Sequence, residues 1–158
     1  MDLHVAQVNI GRLRARIDDP LITDFREALE EINALADRSP GFVWRLQTED
    51  GDATAIRAFD DELVAINMSV WESVDALADY VYRSVHASFL RRRREWFERF
   101  ESSHTALWWI PAGHRPSIDE AKLRLDHLDV HGPTPFAFTF GRRFEPDWSG
   151  IRSDRLRS

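Results

Sequence analysis

Residues 63–71 read Leu63-Val64-Ala65-Ile66-Asn67-Met68-Ser69-Val70-Trp71. Successive side chains of a strand point to opposite faces. Val64, Ile66, Met68 and Val70 therefore form an apolar face, and Ala65, Asn67, Ser69 and Trp71 a mixed one. The same alternation runs through residues 3–10, LHVAQVNI, where His4, Ala6, Val8 and Ile10 oppose Val5, Gln7 and Asn9. Two strands with one apolar and one amide-bearing face predict a half-covered antiparallel sheet. The apolar faces are expected to meet helices, and the faces bearing Gln7, Asn9, Asn67, Ser69 and Trp71 to look into a cavity.

Working outward from these strands, Asp19 and Pro20 start a helix whose apolar stripe is Leu21, Phe25, Leu29, Ile32 and Leu35. Ser39-Pro40-Gly41 stops it, and residues 42–48 (FVWRLQT) read as a second strand. Residues 49–52 form a turn, and residues 53–59 are open between loop and short strand. Ser73 caps a helix with Val74, Leu77, Ala78 and Val81, and residues 84–100 continue as helix with Phe89, Arg93, Trp96 and Phe100 at helical spacing. Residues 105–110 (TALWWI) are a strand, and Ser117 with Glu120 makes a capping box for a helix carrying Leu123, Leu125 and Leu128. Gly132-Pro133 ends it, and residues 136–140 (FAFTF) are expected to close the sheet as a strand.

This order predicts an α+β fold of the ferredoxin-like type: a βαββαβ antiparallel sheet with an inserted helix and an extra helix before the last strand. No linker divides the chain, so one domain is expected over residues 1–145, followed by a polar tail at 146–158. If the helices cover only one face, the other leaves apolar surface in water unless a second copy covers it. A homodimer closing two sheets into a dimeric α+β barrel is the expected solution.

Composition limits the function classes. The 158 residues are 43% hydrophobic and 30% charged, neither a disordered nor a membrane-spanning balance. Without cysteine there is no disulfide, thiolate site or thiol nucleophile. A net charge of −6 argues against a nucleic-acid partner, although Lys122 is the sole lysine and residues 91–94 are all arginine. The start, Met1-Asp2-Leu3-His4, lacks the basic and apolar stretches of a signal peptide, so the cytoplasm is the expected compartment.

Six segments carry a family resemblance: Ala6-Gln7-Val8-Asn9; Met68-Ser69-Val70-Trp71-Glu72-Ser73; Val81-Tyr82-Arg83-Ser84 with His86; Arg91-Arg92-Arg93 with Glu95-Trp96-Phe97; Leu107-Trp108-Trp109 with Pro111-Ala112-Gly113-His114; and Gly132-Pro133-Thr134-Pro135 with Ala137-Phe138. Together they resemble a bacterial family catalogued as a domain of unknown function and placed in the dimeric α+β barrel superfamily. That superfamily also holds antibiotic-biosynthesis monooxygenases, chlorite dismutase-like haem proteins and cofactor-free enzymes. The resemblance spans residues 3–140 and implies the fold more strongly than any activity.

Candidate site residues follow from chemistry and face. Asn9, Asn67 and His86 are the catalytic candidates, the few polar groups beside aromatic packing, with the imidazole able to act as general base, donate a hydrogen bond or ligate a haem iron. Gln7, Ser69, Trp71, Arg93, Trp96, Trp108, Trp109 and His114 are the ligand-binding candidates. Each has a structural alternative: the amides as interface bonds, His86 as a satisfied core residue, Arg93 as the partner of Glu72 or Glu95, and His114 as a surface turn residue. Trp108 and Trp109 point to opposite faces of their strand, so one is expected in the core and the other in the cavity. No metal site is expected: HxH and HExxH are absent, and the His127–His131 pair lies near a helix end where histidine also suits the dipole.

Six tryptophans and ten phenylalanines beside an amide-lined sheet face favour a small-molecule enzyme of the monooxygenase or isomerase type, acting on an apolar or aromatic metabolite without a resident cofactor. The alternatives are a haem protein of the same superfamily, with His86 or His114 as axial ligand, and a non-catalytic ligand-binding or structural dimer.

Overall fold

The sheet order observed is β2-β3-β1-β4, antiparallel throughout, with β1 at Leu3–Arg12, β2 at Phe42–Arg45, β3 at Val64–Trp71 and β4 at Thr105–Pro111. Helix α1 (Thr23–Asp37) joins β1 to β2, and α2 (Val74–Arg83) follows β3. The short helices α3 (His86–Arg91) and α4 (Arg93–Trp96) lead to β4, and α5 (Ile118–His131) follows it. The first two strands in sequence are separated in space by the third, which is the ferredoxin-like arrangement. This computed structural model describes residues 2–47, 56–84, 86–99 and 102–146, with the side chain of His86 outside the described set. No helix of the described residues is long and apolar enough to cross a membrane.

Local chemistry sets the boundaries. Asp19 accepts from the Leu21 N–H and caps a single 3-10 turn, Pro20–Ile22, from which α1 continues. Ser73 caps α2 through the Ala76 N–H, and Ser117 caps α5 through the Glu120 N–H. The second strand ends at Arg45, short of its sequence pattern, whose last residue, Thr48, lies outside the described residues, and a bulge between Phe42 and Trp44 shifts its register. The helix expected over residues 84–100 is instead broken: Arg92 N–H turns back to the Phe89 carbonyl, and Phe97 is extended and bridges Leu13. Of that stretch, Phe100 lies outside the described residues. So does most of the 49–59 region, whose described part, 56–59, contains no strand.

The closing strand expected at 136–140 reduces to one bridge, in which Leu107 and Phe138 exchange both backbone bonds at 2.8 Å. Tight turns on either side, pairing Thr134 with Ala137 and Thr139 with Arg142, leave no room for a longer ladder.

The two faces of the sheet are covered by different helices. Ala6, Val8, Ile10, Met68, Val70 and Trp108 pack against Ala121, Leu125 and Leu128 of α5. On the other face Val5, Trp71 and Leu107 pack against Ala36 of α1 and Val74 and Leu77 of α2. The apolar face meets a helix, as its pattern predicts, and that helix is the chain's own α5. The departure from the sequence expectation is on the amide-bearing face, which lies under α1 and α2 rather than being left for a second copy to cover.

At one end of that face Phe97 lies on the bare backbone of Gly11, where a Cβ would stand 2.6 Å from the ring. The ring is held edge-on to Phe25 at 5.2 Å, so it has little freedom to retreat. Gly11→Ala is expected to cost about 1–3 kcal/mol, read as a lower denaturation midpoint. Trimming the ring with Phe97→Leu in the same chain should recover part of the loss.

Candidate functional site

Antiparallel register brings the polar side chains of the covered face into rows. Thr105, Asn9 and Asn67 are directly opposite one another, as are Leu107, Gln7 and Ser69 in the next row. Gln7 Nε2 donates to Asn67 Oδ1 at 2.7 Å and to Ser69 Oγ at 2.8 Å. Trp71 Nε1 donates to the same Ser69 Oγ at 2.9 Å, and Asn9 Nδ2 donates to Thr105 Oγ1 at 3.2 Å. The floor therefore holds two hydrogen-bonded groups, one joining Gln7, Asn67, Ser69 and Trp71 and the other Asn9 and Thr105, in which buried donors are satisfied. Asn67 is the exception in exposure: it sits within a central strand, yet its side chain is open, and its Nδ2 has no partner among the described residues.

Asn67 is open because α1 and α2 do not seal this face. Between them and the sheet lies a cavity of about 570 Å³, within the size range of small-molecule sites. Its floor includes Gln7, Asn9, Asn67, Ser69 and Trp71, and its walls include Phe25 and Ile32 of α1, Tyr80 of α2, Phe89 of α3 and Phe97. Tyr80 stacks on Trp71 with ring centroids 5.1 Å apart, and its hydroxyl donates to the Ile32 carbonyl at 3.1 Å. Burial raises the Tyr80 pKa, so this phenol stays neutral and braces α2 against α1.

Charge is confined to particular places on the lining. Arg45 is held by both oxygens of Asp37, at 2.8 and 3.2 Å. Arg93 sits near the Phe97 end, half-buried, with its guanidinium 5.6 Å from the Phe97 ring centroid. Desolvation lowers its pKa. His104 also lines the cavity, and its pKa is lowered first by burial and then by the positive charge of Arg93, against a hydrogen bond with the Ser102 backbone. A histidine so placed is neutral at pH 7 and able to accept a proton.

Of the residues expected from the sequence, Gln7, Asn9, Asn67, Ser69, Trp71 and Arg93 come together around this cavity. Trp96, Trp108, Trp109 and His114 stand apart from its lining. Trp96 is buried with Leu13, Ile22 and Phe25. Trp108 is buried on the α5 face and donates to Glu120 at 2.7 Å. Trp109 shares the covered face but packs on Phe138 and donates to the Phe144 carbonyl at 2.9 Å, so neither tryptophan of the pair lines the cavity. His114 pairs at 2.8 Å with Glu120, which thereby ties both His114 and Trp108 to the start of α5. His86 opens α3, its side chain outside the described residues.

The cavity also recruits residues that the sequence reading did not select: His104, Thr105 and Tyr80. Thr105 was legible as the outward neighbour of Asn9 once β1 and β4 pair, whereas a lone histidine before a strand carries no motif. His127 and His131 are 4.7 Å apart, and His127 Nε2 lies 2.7 Å from Thr134 Oγ1. Among the described residues no group of three metal-ligating side chains occurs.

The family described as a domain of unknown function, DUF3291, matches residues 4–153. No curated protein matches the chain. Among solved structures, a variant of SnoaB, a cofactor-independent oxygenase from Streptomyces nogalater, aligns at 17% identity and a TM-score of 0.47, covering 71% of this chain and 95% of that one. A protein from Nitrosomonas europaea assigned as an antibiotic biosynthesis monooxygenase aligns at 12% identity and a TM-score of 0.47, covering 73% of this chain and 94% of that one.

The floor separates structural from available polar groups, and stability measurements should show it. Ser69→Ala leaves the buried Trp71 indole N–H without its acceptor and is expected to cost about 1–3 kcal/mol. Asn67→Ala removes an exposed side chain, and Gln7 keeps Ser69, so its denaturation midpoint should stay within about 0.5 kcal/mol of the parent.

Proposed function

The chain belongs to the family described as a domain of unknown function, DUF3291, and we propose that it is a small-molecule enzyme of the monooxygenase or isomerase type, acting on an apolar or aromatic metabolite held in the cavity. The observation that carries this reading is Asn67: an exposed amide in the middle of a sheet floor, facing a space walled by Phe25, Tyr80, Phe89 and Phe97. A core residue has no reason to be an open amide; a group that binds a substrate oxygen has.

Both reaction types begin by removing a proton from an activated C–H or O–H of the substrate. His104 is the proposed base, since burial and Arg93 keep its imidazole neutral. The Nδ2 groups of Asn67 and Asn9 are the proposed donors to the oxyanion that forms. In an isomerase the proton returns at another carbon. In a cofactor-independent oxygenase the carbanion gives its electrons to dioxygen. A methylene then becomes a carbonyl, one oxygen atom stays in the product, the other leaves as water, and no external reductant is consumed. His86 remains a candidate in the same proton transfers. Because one chain supplies these cavity walls, the chemistry does not depend on the homodimer expected from the sequence.

The test is a panel of flat phenols and ketones carrying an activated methylene, followed by Trp fluorescence for binding and mass spectrometry for product. The expected product either gains one oxygen and loses two hydrogens or is an isomer of unchanged mass. Asn67→Ala should lower kcat by about 100-fold, the usual loss for one oxyanion donor. The acid limb of the rate profile should fall below the ordinary histidine value of 6.5 and disappear in His104→Gln. A protein that binds no member of the panel, or an Asn67→Ala variant with full turnover, would sink the reading.

A further inference from the structure

The arginines at the α3–α4 end of the cavity are not equivalent. Arg92 donates to Glu95 at 2.6 Å and to Asp24 at 3.0 Å. Arg12 donates to Asp61 at 2.7 Å and to Glu98 at 2.6 Å. Arg45, the other guanidinium lining the cavity, is forked onto Asp37. Arg93 is different: among the described residues no carboxylate pairs with it. Its contacts are a long 3.4 Å bond from Nη2 to the Ile10 carbonyl and the face of Phe97. Of the two partners expected from the sequence, Glu95 is taken by Arg92 and Glu72 makes no ion pair with Arg93.

A guanidinium has five N–H donors and cannot shed its charge in a protein. Half-buried in an apolar surround, it loses hydration that one long bond to a carbonyl and a cation–π contact among the described residues recover only in small part. Such a charge is a structural liability unless an anion visits it. We propose that Arg93 is the recognition group for a carboxylate, so that the cavity takes an aromatic or apolar acid whose ring lies against Phe25, Phe89 and Phe97. This deepens the enzyme reading above and rests on it. A monoanion fits better than a phosphate dianion, because the neighbouring His104 is neutral and Arg93 brings a single positive charge. The planar fork also matches the two oxygens of a carboxylate.

The experiment compares 2-naphthoate with 2-naphthamide, a neutral molecule of nearly the same shape, by titration against the full chain and its variants. In the parent protein the naphthoate is expected to bind about tenfold or more tightly than the amide. In Arg93→Gln that preference should vanish while amide binding is unchanged. The denaturation midpoint of the ligand-free variant should hold or rise, since an uncompensated charge has been removed. If Arg93→Gln fails to fold, Arg93→Met, which keeps an apolar stem against Phe97, serves the same comparison. Equal affinities in the parent overturn the assignment of a carboxylate. A preference that survives the substitution, or a lowered midpoint, overturns the role of Arg93 and moves it to structure. Binding of neither probe overturns the small-molecule reading itself, and this inference with it.

Discussion

The strict two-residue period of β1 and β3 is the constraint on which the rest depends. It sends Ala6, Val8, Ile10, Ile66, Met68 and Val70 to one side and Gln7, Asn9, Asn67 and Ser69 to the other. An apolar face is stable only when covered closely, and α5 covers it with Ala121, Leu125 and Leu128. A face bearing amides cannot be sealed in the same way. Each buried amide must keep its partners, and α1 and α2 bring mainly apolar side chains such as Phe25, Ile32 and Leu77, with Asn33 and Tyr80 among their polar groups on the lining. The outcome is contact at the end near Trp71 and Val5 and a gap over Asn67. The cavity is thus a consequence of side-chain alternation combined with helices whose facing side chains are mainly apolar.

Within that gap the polar groups divide by what they support. Ser69 Oγ accepts from both Gln7 and Trp71, so it holds the orientation of an amide and of an indole at once. Tyr80 then stacks on the fixed indole and reaches the backbone of α1, joining sheet, α2 and α1 in one chain of contacts. A site supported in this way is preorganised: the groups facing a ligand are held by others that do not touch it. Asn67 lies at the end of the network, with one atom engaged and one available. That is the arrangement expected of a group that binds rather than braces.

How much of this was legible in the sequence follows from which forces are local. The strands, the caps at Ser73 and Ser117, and the sharing of one face by Gln7, Asn9, Asn67 and Ser69 could be read because alternation and capping act over a few residues. The choice of helix for each face could not. α5 buries Arg124 and leaves Leu123 and Val130 exposed, so its pattern does not announce which surface it covers. The aromatic run at Trp108 and Trp109 suggested a cavity wall, yet each indole is satisfied elsewhere, by Glu120 and by the Phe144 carbonyl. Arg93 stood out from the sequence because it interrupts an apolar stripe. That Glu95 belongs to Arg92 instead is decided by side-chain reach in three dimensions. His104 enters the site only because the Ile10 N–H bonds to its carbonyl and brings β4 alongside β1 at that point.

The Phe97 end of the cavity shows how backbone and charge are linked. Gly11 has no side chain, and only for that reason can the Phe97 ring lie directly on β1. Phe97 is also the residue at which α4 ends and the chain turns extended to bridge Leu13, so the ring fixes where α4 comes to rest. Arg93 opens that helix, with its guanidinium over the same ring and one N–H at the Ile10 carbonyl beside Gly11. The position of the positive charge therefore traces back to an absent methyl group on a neighbouring strand. A larger residue at Gly11 would move the ring, the helix start and the charge together. Packing at this end and the electrostatics of the site are in that sense a single property of the chain.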